Sequence, residues 1–420
     1  MKESFQAIRG MNDITPPDSF RWARLERELR DWLDAYGYHE VRFPIVESTA
    51  LFVRSIGTAT DIVEKEMYSF VDGLNGEALT LRPEGTASCV RLALQQRLLY
   101  EGPRRLWYQG PMFRHERPQK GRYRQFHQCG IEALGFSGPD IDAELILMTA
   151  RLWQRLGLSE VALQLNSIGS SAARARYRER LKSYFQRYFH DLDEDSQRRV
   201  STNPLRILDS KNPGMAALIA SAPQLAEDLD EDSRRHFDGL QDFLSAAGVR
   251  YTLNPRLVRG LDYYNATVFE WVTTRLGAQG TVCGGGRYDG LVEQLGGKPT
   301  PACGFAMGME RLLALLELVD GWNAEYPVLH AYVMNQNQVA WAVKVAEELR
   351  AAGLRTILHA GGGSFKSQFR RADASGARYA IILGDAEWEQ QRIALKPLRG
   401  QGEQQSLLLE EVVTRIRMDE

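Results

Sequence analysis

Between Arg104 and Gly135 the chain reads RRLWYQGPMFRHERPQKGRYRQFHQCGIEALG, two apolar and aromatic runs on either side of the polar stretch Arg117–Gly121. Pro, Lys and Gly at that point cannot easily continue a ladder, so the spacing predicts an antiparallel hairpin. Residues two apart on a strand share a face. Phe126, Gln128, Gly130 and Glu132 therefore point one way on the second arm, and Arg114 and Glu116 share a face on the first. An aromatic, an amide, a bare backbone position and a carboxylate make a poor core. From Arg104 to Arg124 seven Lys/Arg (104, 105, 114, 117, 120, 122 and 124) stand against one acid, Glu116. A guanidinium grips carboxylate or phosphate through two parallel hydrogen bonds, and a carboxylate accepts a proton from a ligand. The pattern points to a sheet floor that binds an anionic ligand carrying a ring. A solvated hairpin is the plainer reading, and the interleaved aromatics argue against it.

Three further stretches carry candidate chemistry. LTLRPEGTA runs from a strand into a turn before a helix over Ala87–Leu99. There Thr86 could be the helix N-cap, or Glu84 and Thr86 could together receive an ammonium group. LVRGLDYYNATVFEW places Arg259, Asp262, Tyr263 and Tyr264 together in a strand and bend. TVCGGGRYDGL follows, and its three glycines let backbone approach a ligand closely, although it fits neither common nucleotide-loop pattern. Finally, ACGFAMGMERLLALLEL reads as strand, turn and amphipathic helix, with Arg311 in the first helical turn. The helix dipole disfavours a lone Arg there, whereas Arg311 and the free amides together suit a phosphate.

These residues need a scaffold, and 420 residues allow two or three domains with their own cores. Charged residues at 25% and hydrophobic ones at 44% are ordinary for a globular protein. No apolar run suits a membrane span, and the start MKESFQAIRGMND lacks the apolar region of a secretory signal. Cys89, Cys129, Cys283 and Cys303 show neither a disulfide framework nor zinc-ligand spacing, which fits a reducing compartment. A net charge of −2 gives nucleic-acid binding no support, so any RNA contact rests on local patches. Apolar periodicity predicts a helix over Phe20–Tyr36, then a strand interrupted at Pro44. Residues 170–250 read as a helical insertion between two strands of one sheet. Arg174, Arg176, Arg178, Arg180, Lys182 and Arg187 form a basic stripe on it, read equally well as a solvated face. The sheet resumes at 251–321, with a linker at 322–326. Residues 327–420 alternate strand and helix, a small α/β domain with a partly parallel sheet. In it Arg355, Lys366, Arg370 and Arg371 form a basic patch, and GGGSFKS lacks the GK pair of a P-loop.

FRHE, a short basic loop and a return strand resemble motif 2 of class II aminoacyl-tRNA synthetases. The Phe20–Tyr36 helix with its following strand resembles motif 1, a dimer interface, and the Arg311 helix resembles motif 3. RGMND, RPEGT, FRHERPQKGRYRQFHQ, LVRGLDYYN and GGGRYDGL together resemble the bacterial-type histidyl-tRNA synthetase family over essentially the whole chain. The resemblance implies an α/β (α+β) fold: a class II antiparallel-sheet catalytic core over 1–169 and 251–321, the helical insertion, and an anticodon-binding domain over 327–420. It implies activation of L-histidine with ATP to histidyl-adenylate and pyrophosphate, then transfer to tRNA(His). By the same resemblance Glu84, Thr86 and Gln128 hold the substrate amino group, Glu132 and Tyr264 read the imidazole, and Tyr263 lies in the histidine site. Arg114 and Arg259 hold the histidine carboxylate and the α-phosphate, with Gln128 beside them in the catalytic set. Glu116, Arg122, Phe126 and Arg311 complete the ATP site, and Arg117, Gln119 and Lys120 touch tRNA.

Magnesium enters with ATP, and the protein alone holds no metal. A homodimer, a cytoplasmic location and no membrane or DNA partner complete the expectation. Its rival is a catalytically silent synthetase-like regulatory subunit of histidine biosynthesis. Such subunits lose motif residues and the C-terminal domain, whereas Arg114, Arg259, Arg311 and residues 327–420 are all present here.

Overall fold

In the computed structural model of the chain, residues 5–58, 60–119, 121–210, 212–277, 280–323 and 326–418 are described. In chain order the first strands are β1 (His39–Glu40), β2 (Val46–Ser48), β3 (Tyr68–Val71), β4 (Ala78–Leu81), β5 (Arg104–Phe113) and β6 (Gln125–Leu134). They are followed by β7 (Ala162–Ser167), β8 (Tyr251–Leu253), β9 (Asn265–Val272), β10 (Thr281–Arg287) and β11 (Ala302–Gly308). The large sheet has the order β1-β5-β6-β11-β10-β9-β7-β8, antiparallel in its centre with β1 and β8 joined in parallel at the edges. β5 and β6 pair from Arg104 opposite Leu134 to Phe113 opposite Gln125. Their connection runs over 114–124, wider than the turn at Arg117–Gly121. The Arg114 amide still donates to the Arg124 carbonyl at 2.9 Å, and Gln119 pairs with Arg122 inside the loop.

Alternation along β5 and β6 divides the sheet into two faces. Trp107, Cys129 and Ile131 belong to one core, built with Leu29 and Trp32 of helix Asp18–Ala35, Leu145 and Met148 of Pro139–Arg155, and Leu312 of Met309–Leu316. Tyr108 and Leu134 belong to the other, which includes Val90 of helix Thr86–Gln95. The candidate cleft opens on this second face. Pro44 breaks the chain as its missing N–H requires, so β1 joins the large sheet while β2 pairs with β4 in a separate small one. Buried Arg82 holds that break, donating to the carbonyls of Phe43, Pro44 and Pro111.

Between β7 and β8 lie the helices Ser171–Arg187, Glu194–Thr202, Ala216–Ala220 and Glu231–Ala246. The last places Leu240 and Leu244 in the first core, while the others pack Tyr177, Leu181 and Val200 into the second. The basic stripe is not simply a solvated face. Arg174, Arg176 and Arg178 donate to the carbonyls of Tyr264, Asp228 and Thr202, and Arg180 pairs with Glu227 and Asp228.

The chain divides into two units, Met1–Ala324 and Glu325–Glu420. The second contains β12 (Ala331–Asn335), β13 (Thr356–Leu358), β14 (Tyr379–Leu383), β15 (Ile393–Pro397) and β16 (Gln405–Leu407). Their order is β13-β12-β14-β15-β16, with β13-β12-β14 parallel and the rest antiparallel. Arg355, Lys366, Arg370 and Arg371 are all exposed. No helix among the described residues is long and apolar enough to cross a membrane.

Candidate active site

The hairpin supplies the floor of the cleft. Arg114 lies just past β5, where its Nε donates to the Pro83 carbonyl at 2.8 Å and its guanidinium sits 5.2 Å from the centre of the Phe126 ring. Among the described residues its terminal nitrogens donate to no protein acceptor. Glu116 is ion-paired with Arg122 across the loop, Oε2 lying 2.5 Å from Nε. Gln128 lines the same cleft, and its Oε1 is buried with no hydrogen-bond partner among the described residues. A buried acceptor without a donor is costly, so this oxygen suits a ligand that brings an N–H.

Glu84 and Thr86 enter from the end of β4. Thr86 is not the N-cap of its helix: Gly85 holds that position, and the Glu84 carboxylate accepts the amides of Thr86 and Ala87 at 2.6 and 3.0 Å. Burial raises the Glu84 pKa, and those two amides oppose the shift. The Thr86 hydroxyl is turned to Glu132, 2.7 Å away. Glu132 is wholly buried and also accepts the hydroxyls of Tyr108, at 3.1 Å, and Tyr288. Burial pushes its carboxyl up to about 8 in spite of these three donors. Glycines make room for the cluster. A Cβ on Gly130 would fall 2.1 Å from the Tyr108 ring, and one on Gly304 would fall 2.0 Å from Glu132 Oε2.

The far wall comes from β9, β10 and the stretch before β9. Arg259 is ion-paired to Glu270 of β9, lies 5.5 Å from the Tyr264 ring centre, and passes over Gly284, where a Cβ would sit 2.6 Å from its Nη1. Burial would lower the Arg259 pKa, but Glu270 and the two tyrosines more than offset it. Tyr263 and Tyr264 are buried with ring centres 4.7 Å apart. Arg311 closes the end of the cleft, donating from Nε to the Gly121 carbonyl at 2.9 Å and from Nη1 to the Thr281 carbonyl at 2.6 Å. Burial lowers its pKa, and the nearby cations Arg122 and Arg114 lower it further.

Glu84, Thr86, Arg114, Glu116, Arg122 and Phe126 thus meet on one cleft with Gln128, Arg259, Tyr263, Tyr264 and Arg311. Glu132 stands one layer behind it, against Thr86 and Tyr108. Arg117 and Gln119 are exposed on the loop and do not line the cleft, and Lys120 lies outside the described residues. Sequence reasoning missed Glu270, Tyr288 and Glu310. Glu270 interrupts the apolar run of β9 (VFEWV), a carboxylate in a buried strand, and that was its signal. Glu310 accepts the His127 amide at 2.9 Å and contacts Nδ1 of the same ring at 2.9 Å.

Comparison with known proteins matches residues 10–312 to the family profile described as histidyl-tRNA synthetase. The chain belongs to the histidyl-tRNA synthetase family. Residues 330–418 of this family member match an anticodon binding domain. A histidine–tRNA ligase of Nitrosomonas eutropha is 60% identical over 414 residues, covering 98% of both chains. One from Nitrosomonas europaea is 61% identical over 406 residues, 96% of each chain. The apo histidyl-tRNA synthetase of S. aureus superposes with a TM-score of 0.80 at 35% identity, over 99% of this chain and 100% of that one. The family's fold is therefore the fold of this chain, with an antiparallel-rich central sheet and a C-terminal anticodon-binding domain.

Proposed function

We propose that this synthetase-family chain activates L-histidine with ATP, forming histidyl-adenylate and pyrophosphate, and transfers the histidyl group to the 3′ end of tRNA(His). The observation that carries this reading is the cleft itself, where Arg114, Arg259 and Arg311 meet the unpartnered amide oxygen of Gln128. The ammonium group of the amino acid would take Gln128 Oε1, beside the carboxylate of Glu84. Attack of the substrate carboxylate on the α-phosphate builds negative charge on phosphoryl oxygens. Arginines already fixed by Pro83 and Glu270 would stabilise it with little reorganisation. Phe126 offers its ring to the adenine, and Arg311 with Arg122 meets the distal phosphates.

Imidazole presents two nitrogens, and a site that pairs both rejects side chains lacking them. Tyr264 faces the cleft for one of them. Glu132 does not line the cleft and is held by the hydroxyls of Thr86, Tyr108 and Tyr288, so it would reach the other only if those contacts rearrange. Magnesium would come with ATP and neutralise phosphate charge. Glu116 and Glu310 on the cleft wall are oxygen donors of the right kind, and one or two carboxylates with phosphates suffice for this ion.

Loop residues Arg117 and Gln119, with Lys120, would touch the acceptor end of tRNA, and the patch around Arg355–Arg371 its anticodon end. A homodimer is supported by the hairpin of the small sheet, where Phe70 and Val71 of β3 and Leu74 of the following turn are 47%, 69% and 99% exposed, apolar side chains that a second copy would cover. Four free buried cysteines suit the cytoplasm. The test is to charge tRNA(His) with labelled histidine in the presence of ATP. Charging that needs both ATP and tRNA(His) is the expected result, and no charging by folded protein would refute the reading.

A further inference from the structure

The stretch between β8 and β9, residues 254–264, has no ladder of its own, yet it carries Arg259, Tyr263 and Tyr264 into the cleft. Carbonyls on such a stretch need donors from elsewhere. Two come from the helical segment that follows β7. Arg206, in the short helix Pro204–Asp209, donates to the Gly260 carbonyl at 2.7 Å, and Arg174, in helix Ser171–Arg187, donates to the Tyr264 carbonyl. The Asp262 carboxylate, between those two carbonyls in sequence, lies in the field of Arg206, Arg174 and Arg178. Its amide donates to the Ile56 carbonyl at 3.1 Å, and its carboxylate lies so close to Gly57 that a Cβ there would approach within 2.2 Å. The packing is continuous as well, since Tyr263 and Tyr264 share one buried cluster with Tyr177, Leu181 and Ile207 of the helical segment.

We propose that Arg174 and Arg206 are positioning residues of the amino-acid pocket, clamping the 260–264 turn so that Tyr263 and Tyr264 face the substrate. The helical segment is then the outer wall of that pocket. Arg206 suits the task because its planar fork presents donors toward the Gly260 carbonyl and positive charge toward Asp262 together, whereas a lysine offers only a point charge. Loosening the turn affects the amino acid first, because Arg114, Phe126 and Arg311 are held by other elements.

The inference rests on the histidine-activating reading, so its test has two arms. In the first, histidine-dependent pyrophosphate–ATP exchange is measured for the native chain, Arg206→Ala, Arg174→Ala and Arg206→Lys. Either alanine variant should raise the KM for histidine roughly tenfold or more, the scale of one lost charge-assisted hydrogen bond, with the KM for ATP little changed. Arg206→Lys should recover part of the loss. In the second, hydrogen exchange of the peptide spanning 257–265 should quicken in the alanine variants while that spanning 125–134 does not. This arm needs no substrate and decides the clamp even if the native chain shows no histidine-dependent exchange, an outcome that would instead overturn the parent reading. Unchanged protection of 257–265 in a folded variant would overturn the clamp, as would histidine and ATP KM values rising together. Should Arg206→Ala not fold, Arg174→Ala and Arg206→Lys carry the same comparison.

Discussion

Arg259, on the irregular stretch before β9, is ion-paired to Glu270 on β9, and Gly284, paired with Glu270 across the ladder, leaves the space that the guanidinium occupies. A buried cation with a fixed carboxylate partner stays charged and stays aimed. That is what a developing phosphoryl charge requires of it.

Replacing Arg259 by His removes that fixed charge. Arg259→His should lower the rate of adenylate formation by about three powers of ten or more, about 4 kcal/mol of barrier. Single-turnover measurement with bound histidine and ATP reads it directly. A rate within tenfold of the native value would remove Arg259 from the chemical step.

Glu132 makes stability depend on pH. Its folded carboxyl titrates at about 8 against a reference of 4.5, so the native state keeps a proton that the unfolded chain releases. That contribution is fully present below the unfolded value and is lost as pH rises through the folded one. Denaturant midpoints should therefore fall between about pH 5 and about pH 8, and Glu132→Gln should reduce the fall by an amount on the order of a few kcal/mol. The same variant should weaken histidine binding while leaving ATP binding nearly unchanged. Equal losses for both ligands would assign Glu132 a purely structural role.

Gly130→Ala tests the packing under the cleft. Its Cβ would press into the Tyr108 ring, which is buried and holds Glu132, so either the ring or the strand must shift. Overpacking of this kind costs about 1–3 kcal/mol. Urea unfolding should show a loss of that size, and an unchanged midpoint would mean that Tyr108 moves freely.

Much of this was legible in the sequence. The hairpin, its polar face and the Arg311 helix follow from strand alternation and helical periodicity, which are local. What depended on distant partners was not. Thr86 looked like a cap until Glu84 took the free amides, a choice set by how the β4 end meets the helix. Glu132 shares a face with Gln128, but three hydroxyls from three other elements draw its carboxylate behind the cleft wall. Arg174, Arg176 and Arg178 of the helical segment looked like part of a solvated stripe because their acceptors are backbone carbonyls, which leave no trace in side-chain composition. Tyr288 was hidden for a similar reason: a tyrosine after three glycines gives no hint that its hydroxyl meets a carboxylate from β6.

Arg117 and Gln119 are exposed on the loop and do not line the cleft, so their loss should separate the two steps of the reaction. Arg117→Ala or Gln119→Ala should slow transfer to tRNA and leave adenylate formation intact. Rapid-quench measurement of each step decides it, and a matching fall in both would place the loop in activation.

The central claim is that the cleft activates histidine. Incorporation of labelled pyrophosphate into ATP, measured with the native chain and each amino acid in turn, tests it most directly. The account predicts exchange that needs L-histidine and vanishes with amino acids lacking an imidazole. Folded protein that exchanges equally with or without histidine, or does not exchange at all, would contradict it.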